Sequence, residues 1–366
     1  MVQRSTPEPP PPLLPNHAEP LVDVTLRVSS GTVVTATIKN KGTPDVRVLR
    51  QGSLLDRRPI RKVDMSYDGQ GLPFIGMSVY TSMTDLNDGS WENLPAGGSL
   101  EATFDITEMY NVTRNGTHVI KASGRLYVMG ANTPLRPIVF ESDALEVDTA
   151  VPVLPSALVT RMDAATLLSK RRLMGADHPT DCLPSQINAI TAALYNCIST
   201  SRRARTAALC GRHQRMQAFF SAAHEKARDV VADTFSQTEH ACNDACGKHS
   251  RTFCDNDGAD AMCDDETLAV TFRRFIWLCS LFFAKEGRSG GIYHNDQASI
   301  MLHEALHLVG LPRDYAYGWE ALLVPAEKRL LNPDNFVGFA RHAMYDPKGD
   351  EPCPAAVIDP IWDMRQ

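Results

Sequence analysis

Three side chains within one five-residue run could carry out hydrolysis: His303 and His307, with Glu304 beside the first of them. Residues four apart on an α-helix share a face, so both imidazoles can reach a single ion. Glu304 is offset by one position, close enough to touch water at that ion without occupying it. Two neutral imidazoles and one carboxylate suit zinc and leave a coordination position open for water. Such water loses its proton near neutral pH, and Glu304 can accept it as a general base. About one or two chains per hundred of this length carry the five-residue pattern by chance, so the surroundings have to decide.

The element that must position these groups is legible. Asp296 to Val309 reads as one helix, with Gly310 placed to stop it. Ile300, Met301, Leu302, Ala305, Leu306 and Leu308 make it largely apolar. In such surroundings charged groups without partners would be costly. Further helices are predicted over Gln186 to Thr200 and Gln214 to Phe235 from apolar residues at three- and four-residue spacing. Phe272 to Phe283 is apolar and aromatic, and periodicity leaves it open between a strand and a buried helix.

The first half of the chain reads differently. Short alternating runs, Val24 to Val28, Val33 to Ile38 and Val119 to Val128, are separated by turn residues at Asn40-Lys41-Gly42, Asp68-Gly69, Asn87-Asp88-Gly89 and Asn115-Gly116. Alternation at this spacing predicts an antiparallel β-sandwich. It holds no cysteine and no evident catalytic set. Residues 1–20 are proline-rich and expected to be disordered, 21–150 form the β-sandwich, 151–180 a linker, and 181–366 a mainly helical domain. The expected class is α+β multidomain.

Composition narrows the setting. The 366 residues exceed one typical domain, no window approaches the roughly 18 apolar residues of a membrane span, and no basic run suits nucleic acid. Up to Arg172 there are 18 basic and 18 acidic residues, so the net charge of −6 arises entirely in the remainder. All nine cysteines lie there too, a density that fits disulfides in an oxidising compartment. Sequons at Asn111 and Asn115 point the same way. Met1 leads into a polar, proline-rich stretch without the apolar core of a signal peptide, which is read as a trimmed start of a secreted protein. Lys170-Arg171-Arg172 sits where composition changes and upstream of every cysteine, as a processing site for a kexin-like protease would. The odd cysteine count leaves at least one thiol unpaired or intermolecular. Cys242 and Cys246 near His240 and His249 fit cross-linking better than a second metal.

Beyond Gly310 come Asp314-Tyr315-Ala316-Tyr317-Gly318 and then Asn332-Pro333-Asp334-Asn335-Phe336. With the helix motif these resemble the deuterolysin (aspzincin) family of zinc metalloendopeptidases in precursor form. There an Asp-x-x-Tyr-Gly and a later Asn-x-Asp-x-Tyr follow the two histidines. Ile276-x-x-Cys279-x-x-Phe282-Phe283, Thr180-Asp181-Cys182 and the β-rich first half fit the same plan. The resemblance implies one zinc ion per chain, Asp314 as third ligand, Tyr317 at the oxyanion and Asp334 orienting an imidazole, although either aspartate could reach the metal. It also implies bridges Cys182–Cys254 and Cys263–Cys279. Leu311-Pro312 replaces the usual Gly-Thr, and Phe336 replaces the later tyrosine.

The expectation is a secreted zinc endopeptidase made latent, cleaved near Arg172, acting on protein or peptide substrates with a bias towards basic ones. Two rivals are a catalytically silent relative with a binding or structural role and a metallohydrolase of another substrate class.

Overall fold

The computed structural model describes residues 22–130, 133–149, 182–244, 251–255, 262–273, 275–289, 291–311 and 313–345. Lys170, Arg171 and Arg172, the 1–20 and 151–180 segments, and Cys246, His249 and Cys353 lie outside them.

Among the described residues, twelve strands occupy the first half: β1 (Val22–Ser30), β2 (Val33–Asn40), β3 (Val46–Leu49), β4 (Asp64–Tyr67), β5 (Gln70–Gly71), β6 (Met77–Thr81), β7 (Trp91–Leu94), β8 (Ser99–Asp105), β9 (Gly116–Lys121), β10 (Ser123–Gly130), β11 (Thr133–Glu141) and β12 (Leu145–Thr149). They pair in the orders β1-β2-β8, β11-β10-β3-β7 and β12-β9-β4-β5, with β6 absent from all three. Turn chemistry sets the register. Asp68 and Gly69 both take positive φ, 48° and 73°, which a two-residue hairpin between β4 and β5 requires. Val34, Ala36 and Ile38 of β2 are buried with Val24, Val48, Leu126 and Ile120 in one apolar core. Asn111 and Asn115 are exposed just before β9.

The second half is α+β. Helices α1 (Pro184–Cys210), α2 (His213–Phe220) and α3 (Glu225–Asp244) precede strands β13 (Arg251–Asp255), β14 (Thr267–Phe272) and β15 (Phe275–Cys279), then α4 (Ser280–Ala284), α5 (Gln297–Leu308), α6 (Ala326–Arg329) and α7 (Pro333–Tyr345). The run from Gln214 to Phe235, predicted as one helix, is divided: α2 ends at Ser221 with φ 53°, and α3 starts at Glu225. A left-handed residue satisfies the last turn's carbonyls and turns the chain. The ambiguous Phe272–Phe283 stretch is strand up to Cys279 and helix from Ser280, and Arg273 at φ 57° makes the turn that folds β15 back on the wholly buried β14. Disulfides join Cys182–Cys254, Cys197–Cys242 and Cys263–Cys279.

One sheet crosses between the halves. Its order is β13-β15-β14-β6, so a strand from the first half closes the edge of a sheet otherwise built from the second. A small apolar cluster of Ile60, Met77 and Val79 with Met262, Val270 and Phe272 seals the junction, while Tyr80 belongs to the core of the second half.

Candidate metal centre and its surroundings

Helix α5 is buried on every side from Gln297 to His307, as the apolar run demanded. Asp296 starts it: its carboxylate accepts from Ser299 N at 2.7 Å and pairs with the Arg341 guanidinium on α7 at 2.7 Å. Such caps contribute roughly 1 kcal/mol, and this one also fixes α5 against α7. After the helix, Gly310 takes φ 101°, a conformation side-chain-bearing residues avoid, and the chain reverses.

That reversal carries Asp314 back over the helix. Its Oδ1 lies 3.1 Å from His303 Nε2 and 3.3 Å from His307 Nε2, and the two Nε2 atoms are 3.1 Å apart. The outer ring nitrogens are engaged. His303 Nδ1 faces Asp334 Oδ1 at 2.7 Å, and His307 Nδ1 faces the Leu311 carbonyl at 2.7 Å. Both partners are acceptors, so both Nδ1 atoms carry the hydrogen and both Nε2 atoms present lone pairs. Two lone pairs and a carboxylate oxygen without a hydrogen bond converge on one point. Only a positive charge makes that arrangement favourable, and the N, N, O donor set fits zinc. Burial disfavours charge on His303, but Asp314 and Asp334 outweigh it and hold the imidazole well above its ordinary range. Burial likewise raises Asp314, yet the two imidazoles prevail and keep it ionised.

Glu304 is fully buried beside these ligands. Its Oε2 accepts from Thr271 Oγ1 on β14 at 2.5 Å, while Oε1 has no partner among the described residues. Burial pushes the carboxyl up from its usual range, the direction a general base near neutral pH needs. Tyr317 donates its hydroxyl to the Val79 carbonyl on β6 at 3.0 Å. Burial raises this phenol far above its ordinary value, so it remains a donor.

The Asn332-Pro333-Asp334 segment works as a clamp. Asn332 Oδ1 accepts from Tyr315 N at 2.9 Å and Ala316 N at 3.3 Å, and its amide donates back to the Ala316 carbonyl at 3.1 Å. Asp334 Oδ2 accepts from Gly318 N at 2.5 Å. The loop bearing Asp314 and Tyr317 is thereby tied to the start of α7. Phe336 is fully buried in an apolar cluster against Phe220 and Phe235. The Leu311 substitution leaves the contact to His307 intact because the backbone makes it.

Of the residues predicted from the sequence, His303, His307 and Asp314 converge on one point, Glu304 is buried on the same helix, the Tyr317 ring lies 6.0 Å from that of His303, and Asp334 is one imidazole away. Three groups at the site escaped that reading: Thr271, Tyr80 and Asn295. Tyr80 stacks on His303 with ring centroids 4.1 Å apart and planes 12° from parallel, and its hydroxyl donates to Asn295 Oδ1 at 2.9 Å. No local pattern marks these residues: strand pairing brings in Thr271 and Tyr80, and Asn295 enters from the loop before α5.

Residues 12–347 match the model of the deuterolysin metalloprotease (M35) family. The chain is 29% identical over 336 residues to a neutral protease 2 homologue of Neosartorya fischeri, covering 89% of each chain. It is 28% identical over 327 residues to one of Aspergillus oryzae, covering 87% of this chain and 90% of that one. Among solved structures, a zinc peptidase from Grifola frondosa aligns at a TM-score of 0.37 and 20% identity, over 44% of this chain and 97% of that one.

Proposed function

The chain belongs to the deuterolysin metalloprotease (M35) family and is a zinc metalloendopeptidase, and from that premise we propose how its residues divide the work. His303, His307 and Asp314 hold one zinc ion, Glu304 moves the proton, Tyr317 donates to the carbonyl oxygen of the scissile bond, and Asp334 keeps His303 in the correct tautomer. A zinc ion supplies a Lewis acid there, polarising the scissile carbonyl and making water nucleophilic near neutral pH. Glu304 Oε1 would accept a proton from the attacking water and return it to the leaving amine, while Thr271 pins Oε2 and so aims the free oxygen. The phenol of Tyr317 stabilises charge developing on the substrate oxygen, a contribution worth about 10²–10³ in rate for a single donor.

The observation that carries this reading is the convergence of two Nε2 lone pairs and an unbonded carboxylate oxygen. Removing metal with a chelator is expected to abolish digestion of casein, and one equivalent of zinc to restore it. Digestion that survives complete demetallation, checked by elemental analysis, would sink the assignment.

We further propose that the protein is a secreted precursor of four parts, residues 1–20, a β-sandwich prosegment at 21–150, a linker at 151–180 and a catalytic domain at 181–366. A kexin-like protease opens it at Lys170-Arg171-Arg172. Disulfides and the similarity to neutral protease 2 homologues support this reading. The acidic excess of the second half favours basic substrates by long-range attraction. For a lysine-rich peptide kcat/KM is expected to fall several-fold as ionic strength rises towards roughly 1 M, where the screening length shrinks to about 3 Å. An unchanged rate would remove the charge argument.

A further inference from the structure

Three residues at the metal centre, Thr271, Tyr317 and His303, meet one strand. β6 runs antiparallel to β14, placing Ser78 opposite Thr271, Val79 opposite Val270 and Tyr80 opposite Ala269. Thr271 is the residue that holds the Glu304 carboxylate. The Val79 carbonyl takes the hydroxyl of Tyr317, and the Tyr80 ring lies flat over His303 and 5.2 Å from the Tyr317 ring. Tyr80 is 2% exposed, so the slot it fills is closed to anything else.

The rest of the first half secures that strand. Arg58 donates to the Met262 carbonyl and to Thr267 Oγ1, each at 3.0 Å. Buried Glu266 accepts from Gln51 at 3.0 Å and Ser90 at 2.6 Å. Arg313, next to Asp314, pairs with Asp64 at 2.7 Å, and Tyr127 donates to Glu320 at 2.7 Å. An unpaired strand edge is a ready template for an extended peptide, whose main chain supplies affinity and whose alternate side chains fill pockets. β6 makes both kinds of contact.

We propose that residues 77–81 are a built-in occupant of the substrate groove. They take the place of an extended peptide on β14, with the Val79 carbonyl on the Tyr317 phenol and the Tyr80 ring in the slot over His303. This rests on the metalloendopeptidase reading and says how its latency is imposed. The intact chain is silent because its own strand competes at the high effective concentration of a tethered ligand. Cleavage of the linker removes the tether, and the strand can then be displaced by substrate.

The test uses the zinc-loaded full chain with Lys170, Arg171 and Arg172 all replaced by Ala, so that it stays in one piece. Tyr80→Ala and Tyr80→Phe are compared with this parent by hydrolysis of a short fluorogenic peptide and by hydrogen exchange at 77–81 and 267–272. The parent is expected to be at least about tenfold less active than the chain cut at its native basic cluster. Tyr80→Ala should raise kcat/KM of the intact chain at least about tenfold, with faster exchange at 77–81, whereas Tyr80→Phe keeps the ring and stays silent. A synthetic peptide of residues 74–84 should inhibit the cut chain competitively, and its Tyr80→Ala version should not. The inference is overturned if Tyr80→Ala frees the strand without raising activity, if the intact parent is as active as the cut chain while 77–81 stays protected, if the intact parent cuts its own β6, or if the peptide fails to inhibit. If the cut chain with zinc hydrolyses nothing, it is the metalloendopeptidase reading that fails.

Discussion

Glu304→Gln is expected to keep zinc bound while lowering kcat by about 10²–10⁴-fold, the range over which a positioned general acid–base acts. The substitution preserves shape, and an amide oxygen can still accept from Thr271. What it removes is the free Oε1, the one atom of the side chain without a partner among the described residues and therefore available to a proton. Zinc affinity should change little, because the ligand atoms belong to His303, His307 and Asp314. Stability should not fall either, since a fully buried carboxylate raised in pKa by burial is costly to the fold. Steady-state kinetics, zinc analysis and thermal unfolding on one preparation decide the matter. A variant within tenfold of the parent's kcat would show that Glu304 is not the base.

The second large effect separates the two aspartates. Asp314→Ala deletes an oxygen 3.1 and 3.3 Å from the two Nε2 atoms and is expected to empty the site at ordinary zinc concentrations. Asp334→Asn is milder. Asp334 accepts from both His303 Nδ1 and Gly318 N, and an amide offers one oxygen for two donors. Losing either contact loosens the ring or the loop that carries Tyr317, with a cost of about 10–100-fold in affinity or activity. Competition for zinc against a chromogenic chelator ranks the variants. Weaker binding by Asp334→Asn than by Asp314→Ala would reverse the roles assigned to them.

How much of this was legible depended on distance along the chain. The two histidines and Glu304 share one helix whose buried face and N-cap can be read from Asp296 to Val309. Asp314 and Tyr317 follow within one loop, so spacing and family likeness sufficed to name them. The contact between Asp334 and His303 spans 31 residues and rested on likeness alone. Thr271 reaches Glu304 across 33 residues through a sheet, and nothing in Thr267–Phe272 distinguishes a strand that touches the Glu304 carboxylate from one that merely fills a core. Met77–Thr81 lies inside the stretch read as a β-sandwich without being singled out; its pairing with β14 is a tertiary choice made by Val79, Val270 and Phe272 packing together. The Gln214–Phe235 run showed helical spacing throughout, and only the left-handed turn at Ser221, which the residue type did not announce, split it.

The two imidazoles are oriented by unlike means, and the difference bears on how the protein can change. His303 leans on a side chain, so a single codon change at Asp334 can disturb it. His307 leans on the Leu311 carbonyl, a group every amino acid possesses. No point substitution at 311 deletes that acceptor; only a shift of the chain path can. The acceptor thus survives any substitution at 311, but the Leu311 side chain is buried in the core of the second half, so a mutational scan should find residue 311 tolerant of apolar residues only and residue 310 intolerant of all but glycine.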